Sequence, residues 1–182
     1  ILKHVSDRKE FTSGELNLKI FDEAVVQILN LMDTINGGFG SSPKFPNTEA
    51  ILFLLFMYAE KKDKEIIDAV KFTLRKMAEG GFYDQIGGGF HRYSIDEEWK
   101  VPHFEKLLID NAFLLRAYLS AYNLTGDVFF KRIAEGIIDF AEDELLDEKG
   151  FFYSSVDADS EGEEGMFFTW TKEEIEKVLE PE

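Results

Sequence analysis

The fold is decided by residues 37–59, whose sequence is GGFGSSPKFPNTEAILFLLFMYA. The first half is a loop rich in glycine and proline, and the second half is a helix-forming run that is apolar on every side. A helix without a polar face needs neighbours around it, so we expect this one inside the protein. Thr48 is a plausible N-cap residue for it, because a threonine hydroxyl can accept a hydrogen bond from a free N–H of the first turn.

The same order of elements recurs along the chain. Amphipathic helices are predicted from Leu18, from Ile66 and, capped by Asp127, from residue 128 onwards. A glycine–phenylalanine signal ends each helix, at residues 37–40, 80–83 and, more loosely, 150–153. The first two phenylalanines are 43 residues apart, a spacing typical of arrays of helical hairpins. Apolar helices follow the first two loops, and the second of them is predicted over Phe104–Leu124.

These elements predict an all-α fold in two concentric layers, with amphipathic helices outside and apolar helices inside. The long loops all join the same helix ends, so they gather on one face, where a binding site is expected. A plain helical bundle is the alternative, although long loops without a function are uncommon. In the last long loop Phe151–Val156 and Met166–Trp170 are expected to pair as a small β-hairpin. A capping box from Thr171 to Glu174 begins the last helix.

Composition limits the classes of function. The 36 acidic and 20 basic residues give a net charge of −16, which disfavours nucleic acid and anionic membranes as partners. The absence of cysteine excludes disulfides, zinc–thiolate sites and thiol catalysis. No secretion signal is recognised, and we expect a cytoplasmic location. The most apolar run, Ala50–Ala59, is too short to span a bilayer. No cofactor is predicted.

Most of the candidate functional residues lie between Gly80 and Asn111. A glycoside-bond site needs two carboxyl groups across a sugar ring, whereas an epimerase would use His91 or His103 as the proton carrier. The sequence does not decide between the two. The candidate catalytic residues are Asp84, His103, Glu105 and Asp110. The candidate ligand-binding residues around them are Tyr83, Gln85, His91, Arg92, Tyr93, Asp96, Trp99, Lys106 and Asn111.

We expect His91, Arg92, Trp99, His103 and Glu105 to form one cluster on the loop-bearing face. Arg92 and Lys106 are the expected partners of the nearby carboxylates. The alternative is that these charges form a structural ion-pair network that ties the loop to the helix.

Two further segments carry candidate groups. Lys44 could bind an anionic ligand or pair with an acid. Residues 157–162 resemble the start of a calcium loop, but Phe168 stands where an EF-hand needs a glutamate, so no metal is predicted. The remaining interpretations are a solvated acidic turn, or a contribution to the mouth of the site from Asp157, Asp159 and Glu161.

Four blocks, at residues 37–46, 84–94, 99–111 and 157–165, resemble the spermatogenesis-associated protein 20 family. Members have an N-terminal thioredoxin-like domain followed by a six-hairpin, glycosidase-like toroid. The resemblance implies that residues 17–182 are the first half of an α/α toroid and that residues 1–16 are a linker from the thioredoxin-like domain. It does not establish a reaction, because a glycosidase or epimerase label rests on the fold.

Two hypotheses for the function remain open. In the first, the domain acts on a carbohydrate or binds a sugar-like ligand, with hydrolysis or epimerisation as possible reactions. In the second, it is a non-catalytic interaction module accompanying the thioredoxin-like domain. A closed ring needs about a dozen helices. The open edge of a half-ring is expected to expose apolar faces, with helix 51–58 affected most, and it could pair with the rest of the ring or with another copy.

Overall fold

The computed structural model describes residues 17–179. The expected linker at residues 1–16 therefore lies outside the described residues and stays a prediction. Within residues 17–179, no helix has the length and hydropathy needed to cross a membrane. The described part contains the α-helices α1 (Lys19–Asn30), α2 (Thr48–Lys61), α3 (Lys64–Glu79), α4 (Leu108–Thr125), α5 (Val128–Phe140) and α6 (Lys172–Val178).

Short strands accompany the helices and form three antiparallel pairs. β1 (Tyr93–Ser94) pairs with β2 (Pro102–His103), and β3 (Lys106–Leu107) pairs with β4 (Ser155–Val156). β5 (Asp159–Ser160) and β6 (Glu163–Glu164) form a hairpin. A π-helical turn, Ala141–Leu145, directly follows α5.

Long and short connections alternate along the chain. Two residues join α2 to α3 and two join α4 to α5, whereas long segments precede α2, α4 and α6. α2 packs against both α3 and α4, and α4 also packs against α5. The apolar helices α2 and α4 therefore lie side by side as an inner layer, with α3 and α5 outside them. The predicted all-α fold of two layers is confirmed.

The core lies between these two layers. α2 contributes Ile51 and Leu54, and α4 contributes Leu114 and Tyr118, all with no exposed surface. The Tyr118 hydroxyl donates a 2.7 Å hydrogen bond to the carbonyl oxygen of Leu74, which joins α4 to α3. The expectation that helix 51–58 exposes the most apolar surface is wrong, because α2 exposes one large apolar side chain, Phe56, whereas α1 exposes three. On α1 they are Ile20, Phe21 and Val26.

Helix starts follow local capping chemistry. Asp63 and Asp127 cap α3 and α5, each accepting a hydrogen bond from a backbone N–H of the first turn. The predicted capping box at Thr171 is confirmed. The prediction that Thr48 caps α2 is wrong, because Thr48 is already helical. The N-cap is Asn47, with φ of 46° and no side-chain hydrogen bond to the helix.

Two predicted helix boundaries and one predicted strand pairing are wrong, because backbone pairing differs from what the local sequence pattern indicates. The segment from Phe104 to Leu107 is extended, because β3 is hydrogen-bonded to β4, and α4 begins only at Leu108. α1 ends at Asn30, before the predicted end at residue 37. The expected pairing of residues 151–156 with 166–170 does not form. β4 pairs with β3 instead, and the hairpin of this loop is β5–β6.

The structure also corrects the register of the internal repeat. The equivalent turns are residues 33–39, DTINGGF, and residues 84–90, DQIGGGF. In each turn the first aspartate accepts two backbone N–H bonds through its side chain, as Asp33 does from Ile35 and Asn36. In each, the residue before the aspartate forms a bridge to the final phenylalanine. Gly80 and Gly81, which the sequence analysis aligned with Gly37 and Gly38, lie outside this repeat.

The glycine that precedes the final phenylalanine of each repeated turn is closely covered. A Cβ atom on Gly38 would lie 2.6 Å from Cζ2 of Trp99, and one on Gly89 would lie 2.5 Å from the ring of Phe140. Both glycines have positive φ, at 79° and 72°. Gly40 also has a positive φ, 77°, but a Cβ there would meet nothing within 4 Å.

Gly38→Ala and Gly40→Ala therefore form a matched pair. Both introduce a side chain in the left-handed region, but only G38A also forces a clash in the core. We expect G38A to lower the free energy of unfolding by about 1–3 kcal/mol more than G40A does, as measured by urea denaturation. Equal losses for the two variants would show that Trp99 does not pack against this turn.

Candidate functional site

The segment His103–Lys106 separates two groups of side chains. It is extended, and alternate residues of extended backbone point to opposite sides. His103 and Glu105 contact an exposed set of polar residues, whereas Phe104 and Lys106 line a cavity. We call the first group the polar cluster, and it consists of Arg92, Tyr93, His103, Glu105, Asp110 and Glu164.

The polar cluster is centred on His103. The Nδ1 atom of His103 lies 2.6 Å from Oε1 of Glu164, and its Nε2 atom lies 3.8 Å from Oε2 of Glu105. Arg92 donates a 2.8 Å hydrogen bond to the same Glu105 oxygen. The Tyr93 ring is stacked on the imidazole, with ring centroids 5.0 Å apart. The side chains of His103 and Glu105 are each 25% exposed, so a ligand can reach them.

Backbone pairing assembles this cluster. The β1–β2 register places Tyr93 opposite His103, and the N–H of Arg92 donates to the carbonyl oxygen of Glu105 at 2.7 Å. Glu164 arrives from the β5–β6 hairpin, 61 residues after His103. Phe45, just before α2, packs on Tyr93 with centroids 4.9 Å apart. The cluster thus lies at the N-terminal ends of the inner helices.

Asp110 contributes a further carboxyl group to the cluster from the first turn of α4. Burial raises its pKa, and the negative charges of Glu105 and Glu49 add to this effect, while Arg92 opposes it. Among residues 17–179 its carboxylate has no hydrogen-bond or ion-pair partner. Asp110 is therefore the group in the cluster best suited to hold a proton.

Asp84 and Lys106 form a separate, buried pair on the other side of the segment. Lys106 is 2% exposed, and its Nζ donates to Oδ2 of Asp84 at 2.7 Å and to the carbonyl oxygen of Gly88 at 2.8 Å. Burial acts to raise the pKa of Asp84, but the Lys106 bond and two backbone N–H bonds outweigh it, so the pKa is lowered. Burial lowers the pKa of Lys106. Asp84 is thus an ionised, structural carboxylate outside the polar cluster.

A cavity of about 590 Å³ lies next to this pair, between the 81–87 loop, the π-helical turn and residues 167–170. His91 lines it and is 2% exposed. The Nδ1 atom of His91 lies 2.9 Å from the carbonyl oxygen of Phe104. Burial lowers the pKa of His91 to about 4. The imidazole is therefore neutral at neutral pH. Tyr83 and Gln85 also line this cavity.

Several predicted ligand-binding residues instead hold loops together. Lys44 has no exposed surface and is bonded to Asp33 at 2.6 Å and to the carbonyl oxygen of Glu97 at 3.0 Å. Trp99 is fully buried, and its Nε1 donates to the carbonyl oxygen of Asn36. The expected cluster of five thus lacks Trp99, and His91 lies on the cavity side. Three others bond to backbone groups of their own or adjacent loops, namely Gln85, Asp96 and Asn111.

The acidic loop contributes through a residue that the sequence analysis did not select. Asp157, Asp159 and Glu161 are exposed and lie outside the hydrogen bonds of the cluster, whereas Glu164 contacts His103. The local sequence offers several acids in a row, and only the pairing of β5 with β6 determines which one reaches the histidine. Within residues 17–179 no group of three or more His, Asp or Glu side chains is arranged to hold a metal ion.

The chain is 42% identical over 154 residues to human spermatogenesis-associated protein 20, covering 79% of this chain and 20% of that protein. The resemblance to the spermatogenesis-associated protein 20 family is confirmed. The chain is also 36% identical over 185 residues to the uncharacterized protein B0495.5 of Caenorhabditis elegans, covering 93% of this chain and 25% of that protein. It spans a quarter or less of the length of these relatives, and no family model matches it.

Solved structures share the fold at low sequence identity. A sugar epimerase from a ruminal bacterium aligns with a TM-score of 0.65 and 21% identity, covering 76% of this chain and 40% of that one. Cellobiose 2-epimerase from Bacillus thermoamylovorans B4167 aligns with a TM-score of 0.66 and 14% identity, with the same coverage. An unsaturated glucuronyl hydrolase specific for heparin gives 0.61 and 17%, covering 76% and 42%. The fold is therefore an α/α toroid, of which this chain forms about half.

The pH dependence of the free energy of unfolding tests whether His91 is buried as a neutral imidazole. An exposed histidine titrates near pH 6.5, and His91 in the folded state near 4. Between these values the unfolded chain takes up a proton that the folded chain does not, so stability is lost as pH falls from about 6.5 to 4. The loss attributable to His91 is at most about 3 kcal/mol.

His91→Asn isolates this contribution, because the asparagine Nδ2 can still donate to the carbonyl oxygen of Phe104 and does not titrate. Asp110, whose raised pKa gives the opposite dependence, is present in both proteins and cancels. We expect the stability advantage of wild type over H91N, measured by urea denaturation, to shrink by up to about 3 kcal/mol from pH 7 to pH 4. A difference that does not change with pH would contradict the burial of a neutral His91.

Proposed function

We propose that the polar cluster is a proton-transfer site for a sugar-like ligand, with His103 as the group that removes and returns the proton. The contact between Nδ1 of His103 and Glu164, at 2.6 Å, supports this proposal most directly. A carboxylate at Nδ1 favours the tautomer in which Nδ1 carries the proton and Nε2 keeps its lone pair. Nε2 is 3.8 Å from Glu105, too far for a hydrogen bond, so it is available to a ligand.

Each neighbour of His103 has a role in this proposal. Glu164 is a positioning residue, because it acts through the imidazole. Arg92, 46% exposed and already bound to Glu105, can donate to a carbonyl or hydroxyl oxygen of the ligand. Asp110, with its raised pKa, can supply a proton to an oxygen. Tyr93, packed between His103 and Phe45, is a second positioning residue, because it holds the imidazole ring in place.

The reaction class that these groups fit is proton abstraction from a carbon next to a carbonyl group. The base takes the proton, a cation and an acid stabilise the charge that develops on the carbonyl oxygen, and the proton returns to the same or the adjacent carbon. Several proteins with this fold are named for reactions of this kind, among them sugar epimerases and a D-mannose isomerase. Their fold supports the proposal, while the residues of this chain define it.

Glycoside hydrolysis is the second candidate, and Asp110 favours it as a possible general acid. A mannosidase of glycoside hydrolase family 76 and the unsaturated glucuronyl hydrolase share the fold. Hydrolysis also requires a second carboxylate to act as base or nucleophile. Glu105 is bound by Arg92 and Glu164 by His103, so proton transfer through His103 fits the contacts better.

The interaction-module hypothesis would be favoured if ion pairs with arginine and lysine occupied all the acids of the site. Asp84 and Glu105 are occupied in this way, but Asp110 is without a partner among the described residues. We therefore prefer the catalytic proposal to the interaction-module hypothesis. The thioredoxin-like domain and the remaining half of the ring stay proposed partners, as does another copy of the chain at the open edge.

The proposal is tested by His103→Asn and Glu164→Gln. Exchange of the proton at C2 of mannose, glucose and cellobiose is followed by NMR in D₂O. We expect H103N to slow exchange by about 10²- to 10⁴-fold, because it removes the acid–base group. E164Q should lower kcat more than it changes KM, because the imidazole is still present but less well oriented.

Glu163→Gln is the matched control for E164Q, because Glu163 is the exposed neighbour in β6 and makes no ion pair with described residues. It should leave both constants unchanged. If H103N exchanges at the wild-type rate, His103 is not the proton carrier. If the wild-type protein exchanges none of the three sugars, the assignment of a sugar-like substrate fails.

A further inference from the structure

We propose that the cavity beside His91 is a second ligand site, one that binds a neutral, flat aromatic molecule carrying an N–H or O–H donor. It lies on the opposite side of the His103–Lys106 segment from the polar cluster, so the two sites share this backbone segment and do not share facing side chains. The inference is independent of the proposed proton transfer, which uses none of the groups that face this cavity.

The size and walls of the cavity suit a small aromatic molecule. Its volume of about 590 Å³ falls within the range of small-molecule sites. Phe104 and Phe168 are stacked, with ring planes 8° apart, and they form one wall. Such walls favour an aromatic ligand through offset or edge-to-face contacts. The other apolar side chains of the lining include Ile86, Val101, Phe140, Val156, Phe167 and Trp170.

His91 supplies a directed hydrogen-bond acceptor. Its Nδ1–H donates to the carbonyl oxygen of Phe104, which leaves a lone pair on Nε2. The ring is held edge-on between Phe104 and Phe168, with interplanar angles of 83° and 88°. Because burial keeps the imidazole neutral, Nε2 accepts hydrogen bonds at neutral pH. A ligand N–H or O–H is the complementary group.

The charges at the cavity disfavour an anionic ligand, and the carboxylate of Glu144 in the lining adds to this effect. Asp84 and Lys106 neutralise each other at 2.7 Å, and the Lys106 ammonium also lies 4.9 Å from the centre of the Phe168 ring. Lys100 forms an ion pair with Glu98. The cations of the lining are therefore already paired, and an anionic ligand would find no free cation among the described lining residues.

Two matched probes test the donor requirement, namely 5-fluoroindole and 5-fluoro-1-methylindole, which lacks the N–H. Binding to the chain is followed by ¹⁹F NMR of the probe and by the indole N–H resonances of the protein. The chain has two tryptophans. Trp170 lines the cavity, so its resonance should respond to binding there. Trp99 is buried elsewhere, so its resonance is an internal control that the protein stays folded.

We expect 5-fluoroindole to shift the Trp170 resonance and leave that of Trp99 in place. It should bind about five- to tenfold more tightly than the methylated probe, because one buried hydrogen bond contributes about this much to affinity. In H91N, which keeps the bond to the carbonyl oxygen of Phe104, the two probes should bind equally. No shift of Trp170 at millimolar 5-fluoroindole, or an unchanged preference for the N–H probe in H91N, would overturn the proposal.

A pair of filling variants locates the site independently of His91. Val101→Phe adds volume at the cavity, and Val128→Phe makes the same change at an exposed position at the start of α5. V101F should weaken binding of 5-fluoroindole at least severalfold, and V128F should not change it. Equal binding by both variants would show that the probe binds elsewhere.

Discussion

Two buried lysine–aspartate pairs hold the two described long loops that precede inner helices, and the arrangement of the polar cluster depends on them. Lys44 binds Asp33 and a backbone carbonyl, and Lys106 binds Asp84 and a backbone carbonyl. Each ammonium also lies over an aromatic ring. A buried charge is tolerated only where it is paired and hydrogen-bonded, so each lysine can sit in one place, and the loop that carries it is fixed.

The two helical layers could be predicted from the sequence, whereas the conformations of the loops largely could not. Helical periodicity identifies which helices have a polar face that can be exposed to solvent, so the order of outer and inner helices could be predicted. The register of the repeat could not, because the GGF triplets look alike while the aspartate four residues earlier defines the turn. The extended segment before α4 was missed because its partner, Ser155–Val156, lies about fifty residues away along the chain.

The candidate site shows the same limit. The sequence placed Arg92, His103, Glu105 and Asp110 in one region, since they are close along the chain and flank an inner helix. The sequence did not show which side chains of the His103–Lys106 segment are exposed and which are buried. That division depends on a non-helical conformation, whereas the apolar pattern of this segment indicates a helix. Nor could it choose Glu164 among the acids of its loop, since strand pairing makes that choice.

The position of Glu164 also affects how the protein is made. Glu164 follows His103 by 61 residues, so it leaves the ribosome several seconds later, at about 5–20 residues per second. During that interval helices α2 to α5 can pack, and the Arg92–Glu105 pair can form, while the imidazole still lacks its carboxylate. The acid–base arrangement around His103 is therefore completed only when the β5–β6 hairpin docks, after the segments that carry Arg92 and Glu105 have been made.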